Sequence, residues 1–256
     1  MEIRRIVKQK KEMYQVYFDD GRTLKVHEES LVRYMLIPGK VIEEDEFEAL
    51  TTSIQFDQAY TKGLKFISYK LRSIQEMYYY LIEDFDNDIV KETINRLTNE
   101  GYLNDDQYAV AFRNTLLNTT DKGPGHLVRE LKKQGIEEDI IMREKAYFDD
   151  LIDAERMNKL KHKFLKSHRG SYMQFKQKLQ EKLIQRGYQK HHMEMIIFDD
   201  DFDEEHYFEK DFEKYYNKYQ RKESGYKLKQ KMIAAMMSKG YPYDKISEKL
   251  GGIDDE

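Results

Sequence analysis

The sequence predicts a mainly α-helical protein of tandem three-helix repeats in an elongated, curved array, preceded by a small β-rich N-terminal domain. Three observations carry that prediction. The composition is 36% charged, with only 3 prolines in 256 residues, which suits long, solvated helices with a high surface-to-core ratio. Strand and hairpin signals are confined to the first fifty residues or so. A helix-ending glycine recurs at Gly135, Gly187 and Gly240, spaced by 52 and then 53 residues, and a period of that length marks a repeat architecture.

The N-terminal segment alternates β-formers and turn residues. Glu2 to Gln9 and Tyr14 to Phe18 read as strands, and Phe18-Asp-Asp-Gly-Arg22 is a hairpin signal in which Asp20-Gly21 supplies the positive φ angles of a tight turn. Thr23 to Val26 is the returning strand, with Leu24 and Val26 on one face. Glu28 to Leu36 reads as a short helix, Pro38-Gly39 breaks it, and Glu43 to Ile54 restarts a helical pattern with acids in its first turn, where they complement the macrodipole. No strand signal follows residue 56.

The repeats emerge when four segments are compared: Ser73-Ile-Gln-Glu-Met-Tyr-Tyr-Tyr-Leu81, Gly123-Pro-Gly-His-Leu-Val-Arg-Glu-Leu131, Ser171-Tyr-Met-Gln-Phe-Lys-Gln-Lys-Leu179 and Ser224-Gly-Tyr-Lys-Leu-Lys-Gln-Lys-Met232. Each opens on a small, cap-prone residue and runs into an amphipathic helix. The last three end in Gln134-Gly135-Ile136, Arg186-Gly187-Tyr188 and Lys239-Gly240-Tyr241, where glycine can adopt the left-handed conformation that closes a helix and the next apolar residue can fold back on the last turn. The first has Asp84-Phe85-Asp86 there and lacks the glycine.

A helix before and a shorter one after complete each unit, for example Asp105 to Asn118 and Glu137 to Phe148 around the second. The expected organisation is therefore residues 1–55 as the β-rich domain, then repeats at 56–100, 101–149, 150–200 and 201–256, each stacking on its neighbours. Apolar residues at spacings of three and four, Leu127, Val128 and Leu131, Leu179, Leu183 and Ile184, and Leu228, Met232, Ile233 and Met236, are assigned to packing.

Charge is segregated along the chain. From Arg156 to Lys190 the only acid is Glu181, set against Arg156, Lys159, Lys161, Lys163, Lys166, Arg169, Lys176, Lys178, Lys182, Arg186 and Lys190; Asp199 to Glu205 then reverses the sign. Such a stretch is either a patch for an anionic partner or the solvated face of long helices. Phe164, His168, Tyr172 and Phe175 lie among these cations, a mixture able to track phosphates and stack on bases, although Phe164 and Phe175 fall at core spacing.

Catalytic constellations are not found. With no cysteine there is no disulfide framework, thiolate metal site or cysteine nucleophile, and a reducing compartment fits. His191-His192 lacks an HExxH context, and Gly123-Pro124-Gly125 lacks the spacing of a phosphate loop and reads as a helix start, with Pro124 in the first turn. Asp105-Asp106 and Asp199 to Asp201 read as a helix start and a solvated acidic run; a metal-dependent nuclease would have to use such clusters. No catalytic, cofactor-binding or metal-binding residue is assigned. Met1-Glu-Ile-Arg-Arg5 has no apolar signal region, and no stretch approaches about 18 apolar residues, so a soluble, cytoplasmic chain without membrane contact is expected.

Arg72-Ser73 with Glu76-Met77, then Leu97-Thr-Asn-Glu-Gly-Tyr-Leu-Asn-Asp-Asp-Gln-Tyr-Ala109, then Lys122-Gly123-Pro124 with Leu127, Glu130-Leu131 and Gly135-Ile136, resemble the RecX family of bacterial regulators of the RecA recombinase. The motifs cover roughly residues 65 to 150; residues 151–250 match through repeat geometry, and residues 1–50 resemble the N-terminal extension of longer members. Departures are His126 where a basic or polar residue is expected, Asn104 in place of an acid, and the absent glycine of the first unit. The resemblance implies a non-catalytic, monomeric crescent that lodges in the groove of a RecA filament on single-stranded DNA and lowers strand exchange and ATP hydrolysis. Candidate contacts for the filament are Arg129, Lys132 and Lys133, then Lys176, Lys182 and Arg186, then Lys227, Lys229 and Lys231. Direct, non-specific binding of single- or double-stranded DNA is the alternative reading, and no cofactor is implied.

Overall fold

Charges that favour helix and the β-formers of the N-terminus sort as expected in a computed structural model of the chain, which describes residues 1–10, 12–198 and 202–254. The acidic run Asp199 to Asp201 lies outside the described residues. Three strands, β1 (Ile3–Lys8), β2 (Met13–Phe18) and β3 (Thr23–His27), form an antiparallel sheet in the order β1-β2-β3. Val16 opposes Ile6 on one side and Leu24 on the other. At the β2–β3 turn only Gly21 takes a positive φ, +88°, while Asp20 caps the turn by accepting from the Arg22 backbone N–H.

All other elements among the described residues are helices: α1 (Glu28–Arg33), α2 (Glu44–Ile67), α3 (Ile74–Leu81), α4 (Asn87–Asn99), α5 (Asp105–Thr119), α6 (Pro124–Lys133), α7 (Glu138–Asp150), α8 (Ala154–Leu165), α9 (Tyr172–Gln185), α10 (Lys190–Met193), α11 (Glu205–Tyr219), α12 (Gly225–Ser238) and α13 (Tyr243–Asp254). The helix expected over Glu43 to Ile54 is the first half of α2, which runs unbroken for 24 residues because no proline interrupts it. Leu50 and Ile54 join the core under the sheet with Ile3, Val16, Phe18, Val26, Leu36 and Ile42. Beyond residue 55 the same helix packs Tyr60, Leu64 and Ile67 against Met77, Leu81, Val90 and Leu97.

The chain divides into two compact units, residues 1–110 with 132–140, and residues 111–131 with 141–256. In the second, Phe208, Phe212, Met232, Met236, Tyr241, Ile246 and Leu250 form one core. Every three-helix group places its middle helix among buried apolar residues: Met77 and Leu81 of α3, Leu127 and Leu131 of α6, Phe175, Leu179 and Leu183 of α9, Met232 and Met236 of α12. Ile184 departs from the expected packing set. It is 61% exposed, because it adjoins Leu183, already at 0%, and neighbouring residues on a helix diverge by about 100°.

The three glycines close their helices as expected, at φ of +69° for Gly135, +91° for Gly187 and +84° for Gly240. After them Ile136, Tyr188 and Tyr241 are buried. The backbone N–H of Tyr188 returns to Leu183 O at 3.0 Å and that of Tyr241 to Met236 O at 3.2 Å, the reverse-turn bonds of a left-handed cap. Where the first group lacks its glycine, α3 ends at Leu81 with Asp84 ion-paired to Lys62 of α2.

Candidate interaction surface

The starts of α3, α6 and α9 are where successive three-helix groups meet, whereas the start of α12 is exposed. Ser73 caps α3 with a capping box, accepting from Glu76 N while the Glu76 carboxylate accepts from Ser73 N. The next donor, Ile74 N–H, goes to the Asp105 carboxylate at the start of α5, 2.9 Å away. Burial is the main reason that the Asp105 carboxyl is pushed above the usual carboxylate range, partly offset by the bond from Ile74.

The same arrangement recurs at α9. Ser171 accepts from Gln174 N, and Tyr172 N–H donates to the Glu204 carboxylate at the start of α11, 2.8 Å away. Ser171 also donates its hydroxyl to Lys239 O, 2.6 Å away, so the C-terminal turn of α12 seats on the start of α9.

At α6 the corresponding residue is Pro124, which has no N–H to offer. The position that matches Asp105 is Ala154, the first residue of α8, and Asp153 before it caps that helix by accepting from Arg156 N at 2.7 Å, as Asn104 caps α5 by accepting from Gln107 N. Backbone meets backbone here: Gly123 N donates to Arg186 O at 2.8 Å and Gly125 N to Gly187 O at 2.9 Å. A Cβ at either Gly123 or Gly125 would fall 3.0 Å from Gly187 O, so the approach requires glycine.

The basic stretch from Arg156 to Lys190 does not form a single patch. Arg156 turns inward, donating to Leu117 O, Thr120 O and Lys122 O and to the Tyr188 hydroxyl, so it satisfies one carbonyl in the last turn of α5 and two in the segment that follows. Lys161 is 1% exposed and donates to Ile197 O at 2.5 Å. Lys159 pairs with Glu155, Lys163 with Asp121 and Lys190 with Glu194. Arg169, Lys178 and Lys182 line a cleft beside α9.

Eight of the nine candidate contact residues lie on α6, α9 and α12, and Arg186 is the residue that caps the C-terminus of α9. Arg129 reaches Gln185 O at 3.4 Å, and Lys132 pairs with Glu138 at 3.0 Å. Lys133, Lys182, Lys227 and Lys231 are exposed, while Lys229 is half-buried. Lys231 is ion-paired to Glu223. Lys176 lies over Tyr172 and Phe198, whereas Lys182 and Arg186 both lie over the ring of Phe164. The structure thus brings Lys182 and Arg186 together and commits Arg129 partly to the α6–α9 junction. Arg169 and Lys178 were not singled out by sequence reasoning, although the four-residue spacing of Lys178 and Lys182 already placed those two on one face.

Among the aromatic residues in that stretch, Phe164 and Phe175 are buried, as their spacing predicts. His191 and His192 adjoin Asp149, with one ligand-capable atom of each within 4.8 Å of the others. His192 Nδ1 accepts from Gln189 N at 3.0 Å, which leaves Nε2 as the protonated nitrogen, 3.3 Å from Asp149 Oδ1. Both Nε2 and that carboxylate oxygen are buried, and neither makes a hydrogen bond among the described residues. Among the described residues no helix is long and apolar enough to cross a membrane.

These features define a class: a chain of three-helix domains whose middle helices meet through capped starts and glycine-closed ends. Residues 59–97, 104–143 and 209–250 match respectively the first, second and third three-helix domains of RecX. The chain belongs to the RecX family. It is 30% identical over 259 residues to a protein of Staphylococcus haemolyticus (strain JCSC1435) named regulatory protein RecX, covering 98% of this chain and 97% of the relative. The protein of the same name from Listeria monocytogenes serovar 1/2a (strain ATCC BAA-679 / EGD-e) is 31% identical, with 94% and 91% covered. A crystal structure of regulatory protein RecX superposes with a TM-score of 0.60 at 28% identity, over 76% of this chain and 97% of that one. RecX from Lactobacillus salivarius gives a TM-score of 0.51 at 29% identity, over 55% and 92%.

Proposed function

We propose that this chain is a non-catalytic, most often negative, regulator of the RecA recombinase that binds along the RecA filament on single-stranded DNA. Membership of a family whose relatives carry the name regulatory protein RecX, matched over nearly the whole chain, is the observation that carries the reading. The cations of α6, α9 and α12 supply the contacts, and Lys133, Lys182 and Lys227 give one exposed cation on each of the three helices. Regulation is differential binding: a chain that fits one filament state better than another shifts their balance by that difference in affinity, with no bond made or broken. It acts in the cytoplasm, where RecA filaments form.

Co-sedimentation with RecA filaments on single-stranded DNA tests this. Lys133→Glu, Lys182→Glu and Lys227→Glu combined should abolish pelleting while leaving the helical circular-dichroism signal unchanged. Undiminished pelleting of the reversed variant would refute the assigned surface, and failure of the wild-type chain to pellet would refute the reading itself.

A further inference from the structure

We propose that the free edge of β1 is a docking site for an extended, acidic segment of a partner protein, which joins the three-stranded sheet as a further strand. The two edges of the sheet differ. Along β3, Gln58 Nε2 of α2 donates to Lys25 O at 2.9 Å, and α1 follows the strand directly, so the chain's own groups occupy that edge. β1 is the other edge strand. Its start is covered: Ile3 N donates to Lys40 O at 2.9 Å, Gly39 N to Ile3 O at 2.8 Å, and Glu2 bridges to Val41. That cover stops at Ile3, and among the described residues no strand lies along the outer side of the rest of β1.

The ladder says which groups are left open. Gln9 N donates to Met13 O at 2.7 Å, so the Gln9 backbone faces β2. Alternate residues of an antiparallel pair face the same way, which turns Val7 and Arg5 inward and leaves the N–H and C=O of Ile6 and Lys8 facing outward, about 6.8 Å apart along the strand. Each position offers a donor and an acceptor. The backbone of a phosphodiester strand only accepts, whereas an extended polypeptide answers both. Charge then selects the polypeptide. β1 carries Arg4, Arg5 and Lys8 and no acid. Arg5 lies over the ring of Tyr17 and Lys8 over that of Tyr14, which holds both cations beside the edge. A second copy of β1 would set these cations against their like, and charged edges of this kind resist pairing with themselves. Carboxylates on the incoming strand pair with them instead. Ile6 packs against the sheet core, so an apolar residue opposite it extends that core.

None of the cations assigned to the filament takes part, so failure here leaves that reading intact. The probe is a blocked peptide of about nine residues that alternates glutamate and valine, long enough to run past the open stretch of β1. It is titrated to about 1 mM, the weak end of specific binding, into isotope-labelled full-length chain, with amide hydrogen exchange read by NMR. Exchange at Ile6 and Lys8 should slow about tenfold, as a Kd of about 0.1 mM implies, while Val7, already bonded to β2, changes little. Lys8→Pro removes the outward N–H at an edge position that tolerates proline, and should weaken binding about fivefold more than Lys8→Gln, which removes only the charge. Should Lys8→Pro disturb the hairpin, Arg4→Glu alone, at an exposed residue, should still weaken the peptide about threefold and strengthen a counterpart with lysine in place of glutamate. No slowing at Ile6 and Lys8, equal slowing by the lysine counterpart, or equal slowing by oligodeoxythymidine would each overturn the proposal, the last by making the edge a phosphate site.

Discussion

The start of α3 and the start of α6 solve one problem in two ways. Both helices begin at a junction, where their first backbone donors are removed from water and need acceptors. At α3 the donor Ile74 N–H is met by a carboxylate from the next group, Asp105, at the cost of partly burying a charge. At α6 the donor is removed by Pro124, and the position that matches Asp105 at the start of the next group is Ala154, which carries no acceptor; Asp153 before it caps α8 as Asn104 caps α5. The α9 start follows the first solution, with Tyr172 N–H and Glu204. Across these three junctions the donor is answered by an acid of the next group at α3 and α9, and at α6 it is removed by proline where that acid is absent.

The largest expected effect breaks the closing turn on which α6 seats. Gly187 has φ +91°, and a Cβ there would lie 2.9 Å from the Gly125 carbonyl carbon and collide with the His126 backbone nitrogen. Gly187→Ala should therefore destabilise the second unit by about 3 kcal/mol or more, left-handed strain of about 1–2 kcal/mol plus the collision. Gly101→Ala is the comparison, since Gly101 has φ +79° but open space around its Cβ position. It should cost only the strain term, about 1–2 kcal/mol. Urea unfolding of both variants measures the difference, and equal losses would mean that the α6–α9 approach is not as tight as described.

Next in size is the acid itself. Asp105→Ala should cost about 1–2 kcal/mol, as loss of a partly buried cap does, whereas Asp105→Asn keeps an acceptor for Ile74 N–H without the buried charge and should cost clearly less. The comparison is sharpened by converting the first junction into the second. Ser73 already has φ −75° and ψ 160°, a conformation compatible with a following proline, and Ile74 occupies the first helical position. In an Ile74→Pro background, Asp105→Ala should lose about 1 kcal/mol of its effect, measured by a double-mutant cycle. Strict additivity would show that Asp105 acts other than through that donor.

The smallest effect is a pH dependence confined to the second unit. His192 is fully buried, and burial, then His191, hold its pKa below the usual imidazole value despite Asp149. A folded-state pKa below the unfolded one means that the unfolded chain takes up more protons on acidification. The contribution is present above about pH 6.5 and is lost as pH falls through the lowered folded value. Urea midpoints should drop between pH 7.5 and pH 5, and the drop should shrink in His192→Asn. An identical drop in that variant would assign it to other groups.

Much of this was legible in the residues. Helical spacing and small cap residues located all four middle helices, because local chemistry determines where a helix starts and stops. The closing glycines were legible because left-handed backbone selects them strongly. Three features were not. The length of α2 escaped because one helix serves the sheet core with Leu50 and Ile54 and the next core with Tyr60 and Leu64, and periodicity does not say which core a turn belongs to. The partners of Asp105 and Glu204 lie 31 and 32 positions away, and a carboxylate at a helix start looks the same whether it caps its own helix or another. Within the basic stretch, inward Arg156 and Lys161 could not be told from outward Lys178, since charge density along a chain carries no direction.

The central claim, regulation of a RecA filament by binding alone, is tested most directly by the rate of RecA-dependent ATP hydrolysis on single-stranded DNA as the purified chain is titrated in at near-physiological salt. The account predicts that the rate falls at concentrations too low for the chain to coat the DNA. An unchanged rate, while the chain binds the same DNA tightly without RecA, would contradict it and make this a direct nucleic-acid-binding protein.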